Sequence, residues 1–168
     1  MKLFAANIVR AVLVTCVIVL PASAAEPTFT TKQLTPESAL KIAQVTLDTC
    51  RKNGHQIAVA VVDRAGNLQV LLRDRFAGAH TVETASNKAW TAVSFRISTT
   101  ELAKETQAGK PMSGIRQLSK VAAIGGGIVI EAGGATLGGI GVSGAPGGEA
   151  DDACATAGLK SIQLDLEF

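Results

Sequence analysis

Residues 120–158 read K-V-A-A-I-G-G-G-I-V-I-E-A-G-G-A-T-L-G-G-I-G-V-S-G-A-P-G-G-E-A-D-D-A-C-A-T-A-G. Short β-branched apolar runs alternate with paired glycines, the pattern of strands joined by tight turns. Strands are expected over 121–124, 127–132 and 135–142, with Gly125-Gly126 and Gly133-Gly134 between them. The acid-rich segment that follows reads as the start of a last helix, running from Gly147 to Gln163. The rest of the chain must supply what packs on this meander.

Working outward, Thr35, Pro36 and Glu37 form a helix start: an N-cap, a first-turn proline and a first-turn acid. Leu40, Ala43, Leu47 and Cys50 recur at helical spacing beside Ile42 and Val45, and Asn53-Gly54 supplies the stop. Residues 57–62 are apolar without alternation, which suits a strand covered on both faces. Asp63-Arg64-Ala65-Gly66-Asn67 is a hairpin turn, and Leu68, Val70 and Leu72 alternate with Gln69, Leu71 and Arg73 in the returning strand. A helix is expected from Thr81 to Phe95, a short one through Glu101 to Gln107, and one further turn over 112–118. The resulting order, α-β-β-α-α-β-β-β-α, predicts an α+β fold with a five-stranded antiparallel sheet flanked by helices.

The chain has 168 residues, enough for one domain with a substantial core. Its first 24 residues carry Lys2 and Arg10, an apolar run over 11–20 and the ending Pro21-Ala22-Ser23-Ala24, the pattern of a secretory signal peptide. That run is about half the ~20 apolar residues a spanning helix needs, so no stable membrane insertion is expected after cleavage. Residues 25–33 read as a flexible leader and 34–168 as the domain. Lys and Arg total 16 against 14 Asp and Glu. Loss of Lys2 and Arg10 would leave a formally neutral chain with no basic field for nucleic acid. The expected location is periplasmic or secreted, an oxidising setting. Cys50 and Cys154 fall on the first and last helices. Two buried apolar thiols are the expected outcome, and a disulfide is the alternative if those helices lie side by side.

Gly139-Ile140-Gly141-Val142-Ser143-Gly144 satisfies G-x-G-x-x-G, but the chain offers no parallel strand after the following helix to complete a dinucleotide site. Its glycines are read as allowing close backbone approach. Glu149, Asp151 and Asp152 are expected to complement the dipole of the last helix. No nucleophile elbow, paired-histidine motif or C-x-x-C motif occurs. His80 stands at the mouth of a helix near Phe76 and is the first candidate for a metal ligand, whereas His55 reads as a loop residue. Lys88 lies on an alanine-rich helix. It either pairs with an internal carboxylate or a ligand's propionate, or, as the preferred expectation, snorkels to water. Phe76 and Trp90 could stack on a flat ligand or pack as core.

V-V-D-R-A-G-N-L at 61–68, S-N-K-A-W-T-A at 86–92 and G-I-G-V-S-G-A-P-G-G-E-A-D-D-A-C-A-T-A-G at 139–158 together resemble the GlcG/HbpS-type family of haem-binding or haem-degrading domains. The resemblance spans nearly the whole chain after the leader. It implies a profilin-like or roadblock-like sheet flanked by helices, homo-oligomerisation, and haem as cofactor, with weak haem breakdown in some members. Related domains accompany corrinoid-processing and glycolate-utilisation proteins. Asp63, Gly66, Lys88, Gly141, Gly144, Asp152 and Gly158 match the family pattern. His80 departs from it, standing where a small residue is usual, and Thr81 and Ser143 are the oxygen-bearing alternatives. The expected ligand is haem or another planar molecule, held by Phe76, His80, Thr81, Lys88 and Trp90. The expected role is haem scavenging or buffering, and the alternative is an oligomeric accessory module for an exported oxidoreductase or catabolic pathway.

Overall fold

A computed structural model describes residues 26–166. The signal-peptide assignment falls on 1–24 and lies outside the described residues. Residues 26–30 are exposed and carry no helix or strand, and a second unit begins at Thr31. The Thr35 hydroxyl accepts the Ser38 N–H at 3.2 Å and Pro36 occupies the first turn, so α1 (Pro36–Lys52) starts where those residues demand. Asn53 and Gly54, the latter at φ +82°, end it. β1 (Ala58–Asp63) and β2 (Leu68–Arg73) form a hairpin. Asp63 clamps their turn by accepting the N–H groups of Ala65 and Asn67 at 2.8 and 2.9 Å. α2 (Thr81–Phe95), α3 (Thr99–Glu105) and a 3-10 turn (Ser113–Gln117) follow. A second hairpin, β3 (Gly127–Ala132) with β4 (Ala135–Ser143), leads into α4 (Gly148–Lys160).

The sheet order is β2-β1-β4-β3 and every pairing is antiparallel. It has four strands, which corrects the expectation of five. Residues 121–126 form no strand: the Val121 and Ile124 N–H groups bond the Leu118 and Ala122 carbonyls in local turns, and side chains of the helices take up other backbone groups. Thr91 accepts the Ala122 N–H at 2.9 Å and donates to the Lys120 carbonyl, while Asp152 accepts the Gly126 N–H at 2.6 Å. These polar groups are satisfied without a ladder, so the apolar Val-Ala-Ala-Ile run has no reason to extend.

β1 separates two cores. Val59 and Val61 point into the larger one with Ile140 and Val142 of β4, under α1 and α4. Ala58, Ala60 and Val62 point the other way, against Ala85, Ala89 and Val93 of α2. The α2 side is built from small residues, and β4 contributes Gly139 and Gly141 to it. A Cβ on Gly141 would lie 2.5 Å from the Ala89 N and still nearer the Ala85 carbonyl oxygen. The helix backbone therefore rests almost directly on the strand, a fit that only glycine permits there.

α1 and α4 pack together on the opposite face, and Cys50 and Cys154 meet there in a disulfide with Cα atoms 5.5 Å apart. The expectation of two separate thiols is thereby corrected. Gly158 of α4 packs against Thr46 and the Ile42 carbonyl of α1, so the helices come close enough for a bond whose geometry sequence spacing could not supply.

Candidate functional site

Three chain segments meet at one end of the sheet: the last residues of β4, the start of α2 and the start of α4. Between them lies an open cleft of about 440 Å³. Within the usual size range of small-molecule sites, it is walled by His80, Thr81 and Thr84 on one side and by Gly147, Gly148 and Asp151 on the other. Ser143 and Lys88 are also in its lining, and Ile124, 52% exposed, stands at its edge.

Lys88 is 2% exposed. Its Nζ donates to the Val142 carbonyl and to Asp151 Oδ2, both at 2.8 Å. The preferred expectation of snorkelling is therefore corrected. Lys88 faces the sheet through a gap left by Gly126, where a Cβ would sit 2.8 Å from Nζ, and Asp151 compensates the charge inside the protein. Burial pushes the Asp151 carboxyl up, against the lowering effect of Lys88 and of the Ala145 N–H that Oδ1 accepts at 3.0 Å. Asp152 turns instead to accept from the Gly126 N–H through Oδ1 and from the Thr100 hydroxyl through Oδ2. The acids of α4 thus tie α2, α3 and the 121–126 segment together. None of their side chains caps α4, whose N-cap is Gly147 at φ +111°.

His80 occupies the N-cap position of α2 without making a side-chain cap. Its imidazole makes no hydrogen bond among the described residues and folds over Gly78, where a Cβ would come within 3.0 Å of Nδ1. The Thr81 hydroxyl donates to the Gly78 carbonyl at 2.7 Å and steadies that turn. Among the described residues no three metal-ligating side chains gather, so any metal here would be held by few protein ligands.

The structure brings His80, Thr81 and Lys88 into one cleft and puts the other two expected residues elsewhere. Phe76 is 78% exposed on the loop before His80. Trp90 faces a second cleft, near Gly66, Asn67 and Asn87, with Lys120 Nζ 5.8 Å from the ring centroid. A Cβ on Gly66 would lie 2.7 Å from the indole Cδ1, so the β1–β2 turn is built around that ring. Ten residues of helix turn His80 and Trp90 to different surroundings, which linear proximity conceals. Asp151 was legible only as one acid of a helix start. Nothing in the sequence tied it to Lys88.

Among solved structures, the fold is similar to HbpS of Streptomyces reticuli, determined as a double mutant, with 36% identity, TM-score 0.77 and coverage of 84% of this chain and 94% of that one. It is also similar to the PduOC protein in complex with haem, at 27% identity and TM-score 0.73, covering 78% of this chain and 96% of that one. The corrinoid adenosyltransferase PduO of Salmonella typhimurium is 35% identical over 107 residues, which are 54% of this chain and 32% of that protein. The chain thus spans about a third of the length of the curated relatives it matches. The family described as haem degrading protein HbpS-like matches residues 34–160, and the chain belongs to that family.

Proposed function

We propose that this protein binds haem in the cleft between α2 and α4, with His80 as the iron ligand. The observation that carries this reading is the free imidazole of His80 at the mouth of a cleft whose rim includes the exposed Ile124. Haem needs apolar walls for its plate and an axial nitrogen for its iron. Ile124 and Ala145 of the lining supply apolar surface and His80 supplies the nitrogen, so these residues suit the group. Bound haem would bring iron redox chemistry, including the weak self-degradation expected of the family. The chain's own part is to orient the ring and hold its polar edge. The solved haem complex of PduOC supports the reading by likeness.

The same reading extends to an exported scavenger or buffer of haem, periplasmic or secreted. The leader pattern and the Cys50–Cys154 disulfide support it, since disulfides persist in oxidising compartments. Self-association is part of the proposal as well: β2 and β3 are both open edges, and open edges invite pairing unless covered.

Hemin titration followed by absorbance tests it. A saturable Soret shift is expected, weakened by His80→Ala and unchanged by Trp90→Phe. No saturable binding overturns the haem reading, and binding indifferent to His80→Ala removes the ligand assignment. The match to part of PduO favours a second reading, an accessory module that serves a larger enzyme without haem. Recovery of such a partner with colourless protein from the native host would select it.

A further inference from the structure

Ser143 ends β4 on the same face as Gly139 and Gly141, the face that α2 covers. Its side chain therefore points at the first turns of α2, and it is in the lining of the cleft with Thr81 and Thr84. It is only 5% exposed. Its hydroxyl has no hydrogen-bond partner among the described residues, whereas those of Thr81 and Thr84 are both committed to carbonyls. The oxygen is not sealed off from the cleft, so it can donate to a group that enters there.

The opposite wall has the complementary shortage. Gly147 gives α4 no side-chain cap, and the N–H of Gly148 meets no acceptor among the described residues, although Gly148 is in the cleft lining. Asp151 and Asp152 do not fill this role. Both oxygens of Asp151 are taken by Lys88 and the Ala145 N–H, and both oxygens of Asp152 by Thr100 and the Gly126 N–H. Lys88 balances the charge of Asp151. Besides the His80 imidazole, the cleft offers two donors: one hydroxyl and the first turn of a 13-residue helix.

We propose that the inner end of the cleft is a carboxylate-binding pocket, in which Ser143 Oγ and the uncapped first turn of α4 donate hydrogen bonds to the ligand's carboxylate. The inference rests on the reading of this cleft as the ligand site. It assigns to that site a polar wall beside the apolar rim at Ile124, whose neighbour Gly125 packs on Gly148. A ligand with a flat apolar body and a carboxylate edge would lie with its edge inward.

Titration of the ¹⁵N-labelled protein with sodium propionate, followed by amide NMR, tests the pocket independently of haem. The amides of Ser143 and Gly148 should shift saturably while that of Gly66, in the other cleft, stays still. Ser143→Ala should weaken the binding by about tenfold or more, since it removes one hydrogen bond to a charged group. Propionamide, the uncharged analogue, should bind the unsubstituted protein at least about tenfold more weakly, a comparison that does not depend on how any variant folds. Unmoved Ser143 and Gly148 amides overturn the proposal, as does equal binding of propionate and propionamide. If propionate binds as expected and hemin does not, the pocket stands and the haem reading falls. If hemin binds and propionate leaves both amides unmoved, the haem reading stands and the pocket falls.

Discussion

Lys88 Nζ and Asp151 Oδ2 lie 2.8 Å apart with side chains 2% and 5% exposed. The pair joins the middle of α2 to the first turn of α4 across the end of β4, where Lys88 also holds the Val142 carbonyl. Two elements 63 residues apart in sequence are therefore locked by one ion pair, and the cleft is what lies between them.

Removing one partner should be far worse than removing both. Lys88→Met leaves a buried carboxylate unpaired and should cost about 3–5 kcal/mol. Combining it with Asp151→Asn should recover part of that loss. Urea denaturation of the single and double variants measures the difference, and a stability-neutral Lys88→Met would show that the pair does not hold the helices.

The Cys50–Cys154 bond closes a separation of 104 residues between α1 and α4. Reduction, or Cys50→Ala with Cys154→Ala, should lower stability by about 2–5 kcal/mol. Because α4 also carries Asp151 and the Gly147-Gly148 start, the same treatment should loosen the cleft. Amide exchange at Asp151 should then rise more than at Val61 in the sheet centre.

Gly141→Ala should be among the most damaging single-methyl additions. The new Cβ meets backbone atoms of Ala85 and Ala89, which cannot move without lifting α2 from the sheet. Overpacking of this kind costs about 1–3 kcal/mol or more. Gly134→Ala is the contrast: its site is open space, but φ +75° makes it a strain effect alone. The two melting temperatures should separate packing from strain.

Acid stability should depend on Asp74. Its side-chain hydrogen bond with Arg51, at 2.9 Å, outweighs burial and holds its carboxyl below the ordinary 3.8. A depressed carboxyl contributes stability that is present above its unfolded value and lost as pH falls through its folded value. Asp151 is raised by burial, so its contribution has the opposite sign: present below 3.8 and lost as pH rises through the folded value. Asp74→Asn should therefore flatten the fall in stability between about pH 4 and pH 2. Urea midpoints across that range, compared with the unsubstituted protein, provide the check.

The local elements were legible because their signals are local. Thr35-Pro36 started α1, Asp63 to Asn67 turned the first hairpin, and Gly133-Gly134 turned the second, each through backbone preferences that depend on a few neighbouring residues. The segment 121–124 carried the same apolar signal as a strand. It was diverted by Thr91, which lies far from it in the chain and accepts the Ala122 N–H, and Asp152 anchors Gly126 just after it.

The sequence by itself determined the order of helices and hairpins, the α+β class and the three motifs of the family. Only the tertiary structure decided that Cys50 meets Cys154, that Lys88 is buried against Asp151, and that His80 and Trp90 face different clefts. The reason is physical. Turn and cap preferences are set within a few residues, whereas pairing of charges, thiols and cleft walls depends on how separate elements pack in three dimensions. The glycines of β4 show the link between the two: Gly139 and Gly141 read as permissive residues in sequence, and in the fold they let α2 settle close enough for Lys88 to reach Val142.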